Sequence, residues 1–158
     1  MTQILTVPAE PVEGGASERR IVLVRALLGF PASRAFALTS LGDVYAPFQR
    51  FQSLDEPALE FVVVAPGALF SDYAFTIDDA DVELLGLRDK MDVEVLVLVT
   101  VLKGASPTVN LMGPLVINRQ TDTASQVVLQ DGRYAVAVPV DAATARWRPS
   151  PADPASGA

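Results

Sequence analysis

The sequence contains no histidine and no cysteine, and these two absences remove several common catalytic and metal-binding chemistries. Thiolate nucleophiles, Ser-His-Asp triads and ordinary zinc sites each require one of the missing side chains. The usual proton shuttle at neutral pH is missing as well. Carboxylates, lysine, tyrosine and hydroxyl groups remain as catalytic groups, and we expect no metal site and no cofactor.

Long apolar runs are also missing, since a membrane-spanning helix needs roughly 20 consecutive apolar residues. The longest run, VLVLVTVL at 95–102, lies between Glu94 and Lys103 and has the length of one buried strand. Residues 1–15 contain no basic segment followed by an apolar core, so we expect no secretion signal. Together with the lack of cysteine, this predicts a cytoplasmic protein without a membrane span.

Positive charge is scarce. The chain has 12 lysine and arginine residues against 19 aspartate and glutamate residues, and its net charge is −7. Such a chain is not expected to bind the phosphate backbone of a nucleic acid directly. It would instead be attracted to a partner with a basic surface. Half of its 158 residues are apolar, which predicts a folded core.

The two ends differ in composition from the middle of the chain. Residues 1–18 are rich in Pro, Gly, Glu and Ala and predict a flexible N-terminal arm. Residues 142–158 form a Pro/Ala/Ser-rich tail that we expect to be disordered. Trp147 in this tail is either a chance residue or an aromatic anchor for a partner. The folded domain is therefore predicted over residues 19–141.

Between these ends, eight segments rich in Val, Leu and Phe predict short β-strands separated by turn residues. The pair Asp131-Gly132 between VVLQ and RYAVAV predicts a hairpin. Strands of this number and spacing indicate an all-β fold, either a compact barrel or a sandwich. The predicted strands are 20–26, 34–39, 59–65, 93–102, 109–112, 115–118, 126–129 and 134–138.

One short helix is predicted from Asp78 to Gly86. Asp78 can cap its N-terminus, the acids that follow suit its first turn, and Gly86 suits a left-handed C-terminal stop. The same acidic cluster (Asp78, Asp79, Asp81, Glu83) does not fit a calcium-binding EF-hand. Leu84 would stand where that loop needs glycine, and Lys90 where it needs glutamate.

Two other groups of residues are candidates for a site. A hydrolytic carboxylate pair would have to come from acids such as Asp55, Glu60 and Asp72, which turns also explain. Aromatic residues recur in two clusters and either pack in the core or line a pocket for a small molecule or a peptide. The clusters are Tyr45, Phe48 and Phe51, and then Phe70, Tyr73 and Phe75.

The stretch TVNLMGPLVIN at 108–118 predicts a strand, a bend and a second strand. Asn110 and Asn118 can hydrogen-bond their own neighbourhood and so end the strands, while Pro114 cannot donate to a sheet. The two amides could equally be offered to the backbone of a partner. The residues alone leave both interpretations open.

Four blocks of the sequence, in this order and spacing, resemble the FliW family of flagellar assembly factors. The resemblance runs from about Gly29 to Val140 and includes the stretch just described. The blocks are APFQRFQSLDEPALEFVVV (46–64), LFSDYAF (69–75), TVNLMGPLVIN (108–118) and QVVL (126–129).

The resemblance implies a cytoplasmic, non-enzymatic protein with a small β-barrel-like fold. Members of the family bind CsrA, an RNA-binding translational repressor, and prevent it from silencing the flagellin message. They also bind flagellin, which competes for them. The main hypothesis is therefore a small all-β regulator that acts by protein binding and needs no cofactor. The alternatives are a small-molecule or peptide-binding β-barrel without a flagellar role, and a carboxylate-dependent hydrolase.

The resemblance also implies candidate partner-binding residues at the positions that match the family motifs. The chain departs from the pattern at Gly113, where alanine is common, and at YAVAVPV (134–140), where basic or polar residues are frequent. The pattern around Leu28-Gly29-Phe30 is shortened. The candidates are Gln52, Ser53, Leu54, Asp55, Phe70, Asp72, Tyr73, Asn110, Pro114 and Asn118.

Overall fold

The structure is a computed structural model that describes residues 18–70, 73–101, 106–130 and 134–140. The predicted arm, apart from Glu18, and the predicted tail lie outside these residues. Within them there are one α-helix, α1 (Asp79–Leu85), and nine strands. The strands are β1 (Arg19–Arg25), β2 (Ala35–Ser40), β3 (Gln49–Ser53), β4 (Glu60–Val64), β5 (Val93–Thr100), β6 (Thr108–Val109), β7 (Leu115–Asn118), β8 (Thr123–Gln126) and β9 (Val138–Pro139).

Seven of the strands close into a barrel in the order β4-β3-β2-β1-β8-β7-β5, and β5 pairs again with β4. Neighbouring strands run antiparallel except β1 and β8, which are parallel. The two short strands β6 and β9 extend the sheet outward from the last residues of β5. The predicted all-β, barrel-like fold is confirmed.

The barrel is filled by alternating side chains of its strands. Along β1, Ile21 and Leu23 are fully buried, whereas Val22 between them is 40% exposed. This alternation is the period-two pattern of a strand with one face on a core. We call the resulting cluster the interior core: Ile21, Leu23, Leu27, Phe36, Leu38, Phe51, Val63, Leu96, Leu115, Ile117 and Ala124.

A second apolar cluster covers the outer faces of β4, β5 and β7. Because β5 is covered on both faces, it reads as a nearly continuous apolar run, with Leu96 in the interior core and Val95 and Val97 outside. We call this second cluster the outer core: Phe48, Val64, Leu69, Tyr73, Phe75, Ile77, Leu85, Leu87, Val93, Val95, Val97, Val99, Val109, Leu111, Val116, Val127, Leu129 and Val140.

The helix has the predicted ends. The side chain of Asp78 accepts a hydrogen bond from the backbone N–H of Asp81 at 2.9 Å, so it caps the N-terminus. Gly86 follows the last helical residue with φ = 67°, the left-handed conformation that glycine adopts without strain. The acidic cluster therefore caps the helix, and Leu85 anchors α1 in the outer core.

The predicted hairpin around Asp131-Gly132 is wrong in its flanking strands, although the turn itself lies outside the described residues. The strand β8 ends at Gln126, and the N–H groups of Val127 and Leu129 donate to the carbonyls of Pro114 and Met112. The segment 134–138 contributes only Val138 to a strand, β9, which pairs with β6. Both flanks thus find partners in the 107–114 region.

The strand β3 (Gln49–Ser53) was not among the predicted strands. Its sequence, QRFQS, holds one apolar residue, Phe51, and the second inward position is occupied by Ser53. A strand that buries a single large side chain lacks the apolar alternation that sequence patterns detect. The predicted strand 109–112 is also too long, because β6 ends at Val109.

Candidate partner-binding site

Four of the candidate residues form the end of β3 and the turn after it. Ser53 is buried, and its hydroxyl donates to the hydroxyl oxygen of Ser33 at 2.8 Å. The same oxygen of Ser53 accepts the backbone N–H groups of Asp55 and Glu56. Gln52 donates from Nε2 to the carbonyl of Pro57 at 2.8 Å. Ser53 and Gln52 therefore fix the shape of the turn.

The other two residues of this turn face solvent. The Asp55 carboxylate accepts the backbone N–H groups of Arg34 (2.8 Å) and Ala35 (3.0 Å). These two bonds hold the pKa of Asp55 below its ordinary value, and the bond from Ala35 contributes most. The Leu54 side chain is 47% exposed, and its N–H bonds the carbonyl of Ala35. The turn presents an apolar group beside a carboxylate in a fixed backbone.

The second group of candidates joins the outer core. The hydroxyl of Tyr73 is buried and donates to the carbonyl of Leu111 at 2.6 Å. Burial, with a smaller contribution from Tyr134, raises the pKa of Tyr73 well above its ordinary value. Phe70 is half-buried against the outer core, and Asp72 lies outside the described residues. Tyr73 is thus a neutral donor that holds the bend at 110–114.

The bend itself is held by Asn110. Its Oδ1 accepts the N–H groups of Met112 (3.1 Å) and Gly113 (2.9 Å). Pro114 is buried, and its carbonyl accepts the N–H of Val127 at 2.9 Å. A Cβ atom at Gly113 would lie 3.2 Å from Nδ2 of Asn110 and 2.9 Å from Nε2 of Gln126. The glycine at this position, a departure from the family pattern, accommodates both amides.

Asn118 serves a similar purpose at the other end of β7. It is 2% exposed, and its Nδ2 donates to the carbonyl of Leu85 at 2.7 Å. Its Oδ1 accepts the N–H of Gln120 at 2.8 Å. The amide therefore joins the C-terminus of α1 to the turn between β7 and β8. Both asparagines make the local bonds of the strand-bend-strand interpretation.

The structure brings some of these groups together through residues that the sequence did not single out. Gln126 accepts the N–H of Leu28 (3.3 Å) and donates to the carbonyl of Gly113 (3.1 Å). The loop that holds Leu28 continues to Ser33 and Arg34, which bond the turn after β3. The bend and that turn are thus linked by one loop, whereas Asn118 lies apart beside α1.

Arg34 has a structural role that the sequence patterns did not indicate. Its guanidinium donates to the carbonyls of Leu23 (2.9 Å) and Val24 (2.8 Å), where β2 no longer pairs with β1. No local pattern signals this role, because Arg34 lies in the loop before β2 and its acceptors in β1 are 11 and 10 residues away. The side chain satisfies backbone groups that would otherwise be open at the edge of β1.

An ion cluster lies at one end of the barrel. Arg19 bonds the carboxylates of Glu94 (3.0 Å) and Asp122 (2.7 Å), and Glu94 is 7% exposed. Burial alone would lower the pKa of Arg19, but the bonds and charges of Asp122 and Glu94 raise it overall. The buried carboxylate of Glu94 is thereby paired, which avoids the cost of an isolated buried charge.

The hydrolase alternative finds no arrangement in the described residues. Asp55 accepts two backbone N–H groups, Glu60 pairs with Arg50 at 3.5 Å, and Asp72 lies outside the described residues. Within the part of the chain that the structure describes, no group of three or more Asp and Glu residues is placed to hold a metal ion. Asp55 and Glu60 have structural partners instead.

The pocket alternative finds no support either, because the barrel holds its own side chains. The rings of Phe36 and Phe51 stack at 4.3 Å inside it, and both are fully buried. Phe30 packs edge-on against Phe61 at 5.4 Å at the end opposite to Arg19. The other aromatic candidates belong to the outer core or lie partly buried against it: Tyr45, Phe48, Phe70, Tyr73 and Phe75.

None of the described helices has the length and apolar character that crossing a membrane would require.

Comparison with known proteins gives one consistent result. A family model described as FliW protein matches residues 11–140. A flagellar assembly factor FliW from Bacillus licheniformis is 36% identical over 124 residues, which cover 78% of this chain and 86% of the relative. The corresponding protein of Treponema pallidum is 37% identical, covering 84% and 85%. That of Syntrophus aciditrophicus is 40% identical, covering 76% and 77%.

The fold agrees with this result. A crystal structure of the flagellar assembly factor FliW superimposes with a TM-score of 0.71 and 30% sequence identity. The match covers 77% of this chain and 84% of that structure.

Proposed function

The chain belongs to the FliW family of flagellar assembly factors, and on this premise we propose that it binds flagellin and antagonises a CsrA-type translational repressor. Occupying the repressor would relieve repression of flagellin synthesis, and newly made flagellin would remove the protein from the repressor. The proposed action is stoichiometric and needs no catalytic group. It takes place in the cytoplasm, where the message is translated.

The observation that carries the proposal is the extent of the family match, from residue 11 to residue 140. The charge supports it, because a chain with a net charge of −7 is attracted to the basic surface that an RNA-binding partner must carry. Among the residues that the structure describes, the barrel is filled by side chains, and Asp55 and Glu60 have structural partners.

We place the contact surface at the turn after β3. A surface binds a partner more tightly when its apolar and polar groups are already fixed before the partner arrives. Leu54 and Asp55 meet this description, because the turn is held by Ser53 from below and by the backbone of Arg34 from the side. A partner would therefore lose little conformational freedom of this chain on binding.

The test is isothermal titration of the protein with flagellin and, separately, with a CsrA-type repressor at two salt concentrations. We expect both to bind, and binding of the repressor to weaken at the higher salt because it depends on complementary charge. Binding to flagellin alone would reduce the function to that of a chaperone. No binding to either partner at micromolar concentrations would refute the proposal.

A matched pair of variants tests the proposed surface. Leu54→Asp is expected to weaken binding about tenfold or more. Leu84→Asp, on the outer side of α1, changes a leucine of similar exposure (42% against 47%) and should leave binding unchanged. Equal losses in both variants, or a loss in Leu84→Asp alone, would place the contact surface elsewhere.

A further inference from the structure

An apolar strip faces solvent on the outer layer of the molecule. Val136 is 62% exposed, its neighbours Ala135 and Ala137 are exposed, and Val128 is 44% exposed. We call these four residues the outer strip.

The hydrogen bonds of the outer layer place the strip on one surface. Leu111 donates its N–H to the carbonyl of Ala135, and Leu129 donates to that of Met112. The segment 111–112 therefore runs between the two parts of the strip, which puts them roughly 10 Å apart at ordinary strand spacing. Val127 and Leu129 are buried in the outer core, so Val128 between them points outward.

Three consecutive exposed apolar residues are unusual in a chain with this charge, and such runs indicate a surface that something covers. Most other exposed large apolar residues of the described chain, among them Val44 and Met91, have polar residues beside them in the sequence. The outer strip differs because its apolar residues are contiguous along the chain and continue across to a neighbouring segment.

We infer that the outer strip is the docking site of Trp147, the chain's single tryptophan, in the segment that follows the described residues. The described chain ends at Val140, which is anchored in the outer core and bonded through its N–H to Pro107. Trp147 follows seven residues later and can reach roughly 23 Å from that anchor. Val136 lies about 13 Å back along the chain from Val140.

The spacing also fits a reversal of the chain. The seven residues from Val140 to Trp147 are enough for the chain to reverse and bring Trp147 back to Val136.

The residues around Trp147 suit this surface. An indole ring covers a large apolar area, and its N–H and the flanking Arg146 and Arg148 can remain at the rim in water. The two cationic side chains on either side of Trp147 are attracted to a chain whose overall charge is −7. This inference concerns the chain folding on itself and does not rest on the proposed function.

Because there is one tryptophan, intrinsic fluorescence of the full chain reports on Trp147 alone. We expect emission that is blue-shifted, and acrylamide quenching that is severalfold weaker, compared with N-acetyltryptophanamide in the same buffer. Val136→Asp should remove both differences, and Val128→Asp should reduce them. Val44→Asp, which changes a valine that is 81% exposed on the turn between β2 and β3, should leave both unchanged.

Circular dichroism and the urea midpoint of each variant show whether it is folded. If Val136→Asp does not fold, Val128→Asp provides the test in its place. Quenching of the wild-type chain as strong as that of the free compound would overturn the inference. Protection of Trp147 from acrylamide that is lost on dilution of the protein would also overturn it, because the outer strip would then be covered by a second copy of the chain. Protection that develops only after flagellin is added would overturn it as well, by assigning Trp147 to the partner.

Discussion

The interior core and the outer core are both apolar but differ in what holds their members in place. Every residue of the interior core except Leu27 comes from a strand of the closed barrel. The outer core takes many of its members from α1 and from the segments around 65–77, 111 and 127–129, which pair with few neighbours. The first core is specified by alternation along strands, and the second depends on individual polar bonds.

Those bonds have different positions in the two regions. The polar bonds next to the interior core lie at the two ends of the barrel. Arg19 bonds Glu94 at one end, and Ser53 bonds Ser33 at the other. In the outer layer they lie between segments, as with Tyr73 on Leu111. The polar groups of the interior thus close the two ends of the barrel, whereas those of the outer core connect its segments.

The largest expected effect belongs to the interior core. Phe51→Ala should lower the free energy of unfolding by about 3–5 kcal/mol, because it removes a fully buried ring that stacks on Phe36. Phe70→Ala, at a half-buried position beside the outer core, should cost less than half as much. Urea titration followed by circular dichroism measures both. Similar losses in the two variants would contradict this ranking of a fully buried ring above a half-buried one.

The next effect tests the polar bonds of the outer layer. Asn118→Ala leaves the carbonyl of Leu85 and the N–H of Gln120 without their partner and should cost about 2–3 kcal/mol. Asn110→Ala should cost about 1 kcal/mol, because Asn110 is only half-buried and water can replace it. Hydrogen exchange should show faster exchange in α1 for Asn118→Ala only. Unchanged protection of α1 would contradict this assignment.

The smallest expected effect is on the pH dependence of stability, to which Asp81 and Asp55 contribute differently. Burial, more than the charge of Asp78, raises the pKa of Asp81 above its ordinary 3.8, although Arg25 at 3.1 Å opposes this. The folded state then holds the proton more tightly, so this contribution to stability falls as pH rises from 3.8 through the raised value. Asp81→Asn should remove that fall.

The pKa shift of Asp55 has the opposite sign to that of Asp81. Its pKa is lowered by the N–H groups of Ala35 and Arg34, so its contribution is present above pH 3.8 and is lost as pH falls through the lowered value. Urea midpoints of the wild type, Asp55→Asn and Asp81→Asn from about pH 3 to 7 measure both dependences. Parallel curves for the two variants would contradict the opposite signs.

Much of this architecture follows from the sequence, for reasons that are local. The strand 115–118 and the helix with its caps at Asp78 and Gly86 were predicted with their bounds, because each is determined by neighbouring residues. The strand β3 was not, since Phe51 is its one buried apolar side chain. The parallel pairing of β1 with β8 follows from closure of the barrel, which no local pattern expresses.

The candidate site shows the same limit. Asn110 and Asn118 were recognised as strand ends, because each accepts N–H groups two or three residues away. The bond from Asn118 to Leu85 joins segments far apart in the sequence, and so do those of Gln126 and Arg34. Such contacts depend on the folded arrangement of the segments, and composition and spacing do not determine them.

The parallel pairing of β1 with β8 has a consequence for synthesis on the ribosome. Val22 in β1 pairs with Thr123 in β8, so most of the chain must be translated before the barrel can close. Until then one edge of the nascent β1 is open to pairing with other chains. The barrel can therefore reach its native form only after β8, its last strand along the chain, has been translated. A nascent chain truncated before β8 would present an open sheet that is prone to aggregation.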